Sequence, residues 1–217
     1  MTHAAAVSHL RAADERLAAV IDAVGPCRLR TVRMQSPYET LFEAIVYQQL
    51  NGKAAATILG RVKTSFGDGG AFPAPGAVTA ASDEQLRGAG LSRAKTAAVK
   101  DLAAKAADGH VPSLAALRKM DDDAIVEHLT AIRGIGRWTV EMMLIFRLGR
   151  PDVLPVGDFG VRNGFRIAYR KRAMPTPAQL AKHGERWRPH RTVASWYLWR
   201  AVDLEKSRAE SRSAIRR

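Results

Sequence analysis

Apolar residues recur along this chain mostly at three- and four-residue intervals. They are set in alanine-rich stretches, with no convincing run of alternating β-branched residues. That periodicity predicts helices almost throughout and an all-α fold. A first amphipathic segment runs from about Ser8 to Val24 and stops at Gly25-Pro26. A second follows Ser36, which suits an N-cap, with Pro37 at the first helical position. The glycine- and proline-rich stretch Gly67–Gly76 is expected to be non-helical and the longest interior loop. Ser82-Asp83-Glu84-Gln85 opens a short helix that Gly88 or Gly90 closes, Ser92 caps a helix running to Ala107, and Ser113 begins another. Asp121-Asp122-Asp123 leads into one more. No internal repeat is present, and Lys206–Arg217, rich in Ser, Arg and Glu, is expected to be a polar tail that frays.

Two places interrupt the helical pattern in a way that suggests chemistry. In Leu129–Thr139 a Gly134-Ile135-Gly136 turn separates two apolar helical patterns, which predicts a helix-hairpin-helix. The two glycines are expected to take backbone angles that a side chain forbids. They would leave successive N–H groups facing outward at a helix N-terminus, where a phosphate can sit. Such a hairpin holds a nucleic-acid backbone without reading bases. An ordinary tight turn between packed helices is the plain alternative. Further on, Val153-Leu154-Pro155-Val156-Gly157-Asp158-Phe159 places one carboxylate after a Pro/Gly turn and before a helical segment. Asp158 there is a natural N-cap. Beside a phosphate-binding hairpin it is also a candidate to stabilise a sugar cation or to activate water.

Composition is consistent with a DNA partner without identifying one. The formal net charge of +13 and a pI near 10.6 favour a polyanion. The 217 residues, 47% hydrophobic, suffice for one compact unit or two small lobes. No apolar run approaches the roughly 18 residues of a spanning helix, and no signal-peptide pattern opens the chain, so a cytoplasmic, nucleoid-associated location is expected. The single cysteine, Cys27, excludes an internal disulfide and a four-cysteine cluster, and is expected to be a buried or half-buried apolar residue. His183 and His190 lack a metal-site spacing and read as surface or packing residues.

The run Ser36-Pro37-Tyr38-Glu39-Thr40-Leu41-Phe42-Glu43-Ala44-Ile45-Val46-Tyr47-Gln48-Gln49-Leu50, the segment Gly90–Lys95, the hairpin, and Trp187–Trp199 occur in that order. Together they resemble the helix-hairpin-helix DNA glycosylases, most closely the branch similar to bacterial 3-methyladenine DNA glycosylase II. The resemblance covers about Ser36 to Arg200. It implies two helical lobes flanking a DNA-binding cleft. Residues 1–36 would pack with the C-terminal lobe, 37–149 would form the central lobe with the hairpin, 150–205 would carry the catalytic aspartate, and 206–217 would be the basic tail. The N-terminal β-rich domain of some relatives is expected to be missing.

By the same resemblance, Asp158 matches the catalytic aspartate, and Trp138, Met142, Phe159 and Trp199 match positions lining the pocket for a flipped base. Gln49 or Leu50 matches the side chain that wedges into the duplex. Gly134, Gly136, Arg137, Thr139 and Arg162 are the phosphate-contact candidates, with arginines on a solvated face as the plain alternative. No cofactor is implied beyond a structural monovalent cation, sodium or potassium, on the main-chain carbonyls of Thr130, Ile132 and Ile135. Bifunctional members carry a lysine on the helix after the hairpin. Here that helix begins Arg137-Trp138-Thr139-Val140-Glu141, which implies an enzyme that uses water and leaves the strand uncut. The expected partner is double-stranded DNA containing damaged bases, with no membrane, and the expected state is a monomer. Two rivals stand beside this: a non-enzymatic DNA-binding module, and a glycosylase of different base specificity.

Overall fold

A computed structural model describes residues 3–215, with side chains through Ser211. Among the described residues the regular structure is helical and no strand occurs. In chain order the α-helices are α1 (Ala4–Ala13), α2 (Glu15–Val24), α3 (Pro37–Tyr47), α4 (Gly52–Phe66), α5 (Pro75–Ala80) and α6 (Asp83–Gly88). There follow α7 (Arg93–Ala107), α8 (Leu114–Lys119), α9 (Asp122–Thr130), α10 (Arg137–Met143), α11 (Phe159–Ala168), α12 (Pro177–Gly184) and α13 (Arg191–Ile215). No described helix is long and apolar enough to cross a membrane.

Local chemistry accounts for most of the helix starts. Ser36, Ser92 and Ser113 each accept the backbone N–H three residues on, as does Asn51 at the start of α4. Ser82 and Thr176 close reciprocal capping boxes with Gln85 and Gln179. Three elements differ from expectation. The first amphipathic segment is two helices, because Asp14 leaves the helical conformation to cap α2. Helix α5 begins inside the expected loop, since Pro75 at its first position is preset for a helix and Val78 is buried behind it. Helix α13 continues to Ile215, with no glycine or proline after Pro189 to stop it.

The chain divides into two units, one joining the N-terminal segment up to Val32 to everything from Leu144 onward, the other comprising Arg33–Met143. The junctions fall four and six residues before the expected boundaries at 36 and 149. The extended segment after α2 stays with the first unit because Val32 N–H donates to the Phe146 carbonyl at 2.8 Å, and Tyr197 O–H to that of Gly25 at 3.0 Å. Helix α10 runs on into a π-turn, Leu144–Leu148, so the second junction lies within a continuous helical stretch.

The first unit buries Leu10, Leu17, Ile21, Val161, Phe165, Leu180, Trp187, Tyr197 and Leu198 around a polar hub. Asp14 sits among them, its Oδ1 accepting the N–H groups of Arg16 and Leu17 at 3.1 Å each. Its Oδ2 accepts the Tyr169 hydroxyl and the Trp187 indole N–H at 2.9 Å, and lies 3.0 Å from His183 Nε2. Burial alone would raise the Asp14 pKa, but the bonds from His183, Tyr169, Trp187 and Leu17 outweigh it and hold the carboxyl well below the usual carboxylate range. The folded pKa therefore lies below the unfolded one. Stabilisation is complete above the ordinary carboxylate range and is lost as pH falls through the folded value. Asp14→Ala would strand the buried Trp187 indole N–H and the half-buried Tyr169 hydroxyl, and is expected to cost about 2 kcal/mol, read as a lower midpoint in denaturant at pH 7. The gap to the parent should narrow in strong acid. An unchanged midpoint would show that the hub contributes no net stability.

The second unit buries Leu41, Phe42, Ile45, Val62, Leu86, Val99, Leu102, Leu117, Ile125, Leu129, Ile132 and Ile135. These alternate at helical spacing with exposed charge, as amphipathic helices require.

Candidate functional site

Helix α11 starts at the first cluster of candidate residues. Asp158 caps it, with Oδ1 accepting the Val161 N–H at 2.7 Å and the Trp199 indole N–H at 2.8 Å. The N-cap and functional readings therefore describe one carboxylate, since the cap bond and the indole bond together fix its plane. The Trp199 ring stacks on Phe146, with centroids 5.7 Å apart and planes at 24°. A Cβ at Gly160 would lie 2.8 Å from Trp199 Cδ1 and 3.1 Å from Asp158 Oδ1, so the indole reaches the carboxylate because residue 160 has no side chain. Phe159, adjacent to Asp158, is 66% exposed, an unusual position for a large apolar ring. Arg162 is half-buried and donates Nε to the Pro175 carbonyl at 2.9 Å.

In the other unit, α9, the loop after it and α10 form the expected hairpin. Ile132 and Ile135 plug it into the core, while Arg133, Gly134, Gly136, Arg137 and Trp138 are exposed. Gly134 has φ +79°, which favours glycine, and a Cβ there would come within 2.9 Å of the Ala98 Cβ. Gly136 has neither constraint, contrary to the expectation that both glycines need special backbone angles. Its missing side chain only leaves the start of α10 uncovered. Arg137 lies 3.6 Å from Glu141 one turn on and is itself mostly exposed. Thr139 is half-buried. Trp138, 53% exposed, and half-buried Met142 share a face of α10 at i, i+4 spacing.

The hairpin backbone is held from α7, which the sequence did not indicate. Asp101 Oδ2 accepts the Arg133 N–H at 2.7 Å, and Lys105 Nζ donates to the Ala131 carbonyl at 3.0 Å and to Asp101 at 2.6 Å. Ahead of α4, the turn Gln48–Asn51 presents Gln49 with φ +57° and Leu50 at 39% exposure. Gln48 donates Nε2 to the Gly134 carbonyl at 2.8 Å. Phe146, Gly160, Asp101 and Lys105 are further site residues with no local signal. Each matters through a partner distant in sequence.

One unit thus carries a capped carboxylate beside an exposed Phe159, and the other a glycine hairpin with outward basic residues and an exposed Trp138. Residues 42–189 match the HhH-GPD superfamily of base excision DNA repair proteins. The chain belongs to that superfamily. As an HhH-GPD protein it is 39% identical to the DNA-3-methyladenine glycosylase 1 of Schizosaccharomyces pombe over 197 residues, covering 90% of this chain and 86% of the relative. Its fold matches the solved structure of the S. pombe 3-methyladenine DNA glycosylase in complex with abasic DNA. The TM-score is 0.76 at 38% identity, over 89% of this chain and 94% of that one. A DNA-3-methyladenine glycosidase from Bacillus halodurans matches with a TM-score of 0.81 at 37% identity, over 93% and 91% of the two chains.

Proposed function

We propose that this HhH-GPD protein is a DNA glycosylase that flips alkylated bases, 3-methyladenine and 7-methylguanine among them, out of double-stranded DNA and hydrolyses the N-glycosidic bond. The Asp158 carboxylate, fixed on Oδ1 by Val161 N–H and the Trp199 indole, carries this reading. Breaking the bond leaves positive charge on the sugar. A fixed carboxylate stabilises that charge more in the transition state than in the ground state, and no reorganisation is needed when the charge appears. Trp138 and Phe159 each offer an exposed aromatic face, and an electron-rich face favours a cationic alkylated purine over a neutral base. The hairpin at Gly134, Gly136, Arg137 and Thr139 grips phosphate, and Gln49 or Leu50 fills the space that the extruded base leaves.

We further propose that the enzyme is monofunctional and acts as a monomer. Helix α10 opens Arg137-Trp138-Thr139-Val140-Glu141 without a lysine to attack the sugar, so water is the nucleophile. Release of free bases from methylated duplex DNA, with the strand nicked only after alkali and no borohydride-trapped adduct, is the result expected of the purified protein. Nicking without alkali would exclude the monofunctional assignment, and the absence of base release would favour a DNA-binding module.

We propose a sodium or potassium ion on the main-chain carbonyls of Thr130, Ile132 and Ile135. Ile132 spends one lone pair on the Ile135 N–H at 3.0 Å, which leaves the other for an ion, and the Thr130 hydroxyl turns back to the Val126 and Glu127 carbonyls. When bound, the ion supplies a positive charge at the hairpin for a phosphate. Duplex affinity should then fall several-fold when tetramethylammonium replaces potassium at equal ionic strength. Equal affinity in both salts would remove the ion from the site.

A further inference from the structure

A hairpin that grips phosphate and a turn that wedges between base pairs must act at a fixed separation along the DNA, because each strand advances only ~3.4 Å per nucleotide. Their backbones are tied within Arg33–Met143, and the tie is a side chain. Gln48, at the head of the turn, donates Nε2 to the carbonyl of Gly134, the hairpin residue with left-handed backbone, across 86 residues of sequence.

Helix α7 fixes the same two places independently. Lys95 Nζ donates to the Val46 carbonyl at 2.7 Å, just ahead of the turn. Ala98 faces Gly134, and Asp101 and Lys105 hold the N–H of Arg133 and the carbonyl of Ala131. These positions recur every three or four residues, so they follow one face of a rigid helix over roughly 15 Å. Next to Gln48, exposed Gln49 is held at φ +57°, a conformation that costs a non-glycine residue ~1 kcal/mol or more and persists only where the surroundings impose it.

We propose that Gln48 is a positioning residue: its bond to Gly134, braced by α7, sets the wedge turn in register with the hairpin, so that gripping the backbone places the wedge at the extruded nucleotide. This rests on the glycosylase reading for the identity of the wedge, but not for the tie itself.

The test compares the full-length parent with Gln48→Ala and Gln48→Glu. The glutamate keeps the side chain's size and, when ionised, replaces the donor with an acceptor facing a carbonyl. Affinity is measured for two duplexes of one sequence, one intact and one containing a tetrahydrofuran abasic analogue. Both variants are expected to lose about tenfold on the abasic duplex and less than twofold on the intact one, while their thermal midpoints stay near the parent's. Amide exchange at residues 48–51 in the DNA-free protein should accelerate. Equal losses on the two duplexes, or no loss and unchanged exchange, would overturn the proposal, as would a parent that does not prefer the abasic duplex. Base release by the parent decides the glycosylase reading separately. A parent that releases no base but shows the selective loss upholds the register and refutes the enzyme.

Discussion

Asp158→Asn is expected to cut the single-turnover rate of base release from methylated duplex DNA by about a thousandfold, roughly 4 kcal/mol of transition-state stabilisation, with duplex affinity within about twofold of the parent. The substitution is nearly isosteric. Both hydrogen bonds to Oδ1, from Val161 N–H and the Trp199 indole, have an amide oxygen to accept them, so the cap and the aromatic stack survive. What disappears is the negative charge opposite a sugar that becomes positive only as the bond breaks. A variant that binds and does not cleave is therefore the expected outcome. A variant with parental rates would show that the carboxylate only caps α11. A parent that binds without releasing bases would make the protein a binding module, and the thermal midpoint of the variant separates either result from simple unfolding.

Asp158 was legible in the sequence because its signals are local: a Pro/Gly turn before it and an apolar helix after it. The same holds for the caps at Ser36, Ser92 and Ser113 and for the hairpin, where a glycine of special backbone conformation interrupts a helical pattern. Asp14 was not legible as a helix breaker. In an alanine-rich amphipathic run it looks like one more surface carboxylate, and only Tyr169, His183 and Trp187, more than 150 residues away, make it the centre of a buried network. Gln48 and Asp101 escaped for the same reason, since their partners Gly134 and Arg133 lie 86 and 32 residues on. Arg162, a phosphate-contact candidate, likewise has a partner that no local pattern announces. Its Nε donates to the Pro175 carbonyl, thirteen residues on. Periodicity and capping report what a segment does with itself, whereas a site depends on which distant groups the fold brings to it.

Gly160→Ala is expected to reduce base release by about a hundredfold. The alanine Cβ would lie 2.8 Å from Trp199 Cδ1 and 3.1 Å from both Trp199 Nε1 and Asp158 Oδ1, closer than side chains tolerate. Trp199 cannot yield freely, because its other neighbour is the stacked Phe146 ring. The carboxylate and the indole must therefore separate, and a misplacement near 1 Å costs on the order of 10² in rate. Alanine's better helix propensity, about 1 kcal/mol, offsets part of the strain that this contact puts on α11. A kinetic loss measured well below the variant's thermal midpoint separates loss of alignment from unfolding. Trp199→Phe removes the indole N–H but keeps an aromatic ring for Phe146, and is expected to cost about tenfold. In the double variant the smaller ring relieves the contact with the alanine, so the combined loss should fall short of the product of the two single losses. That shortfall is the signature of two residues acting through one hydrogen bond. If the losses multiplied, Gly160 and Trp199 would be acting on the reaction by separate routes, and the glycine would owe its effect to something other than the indole's approach to Asp158.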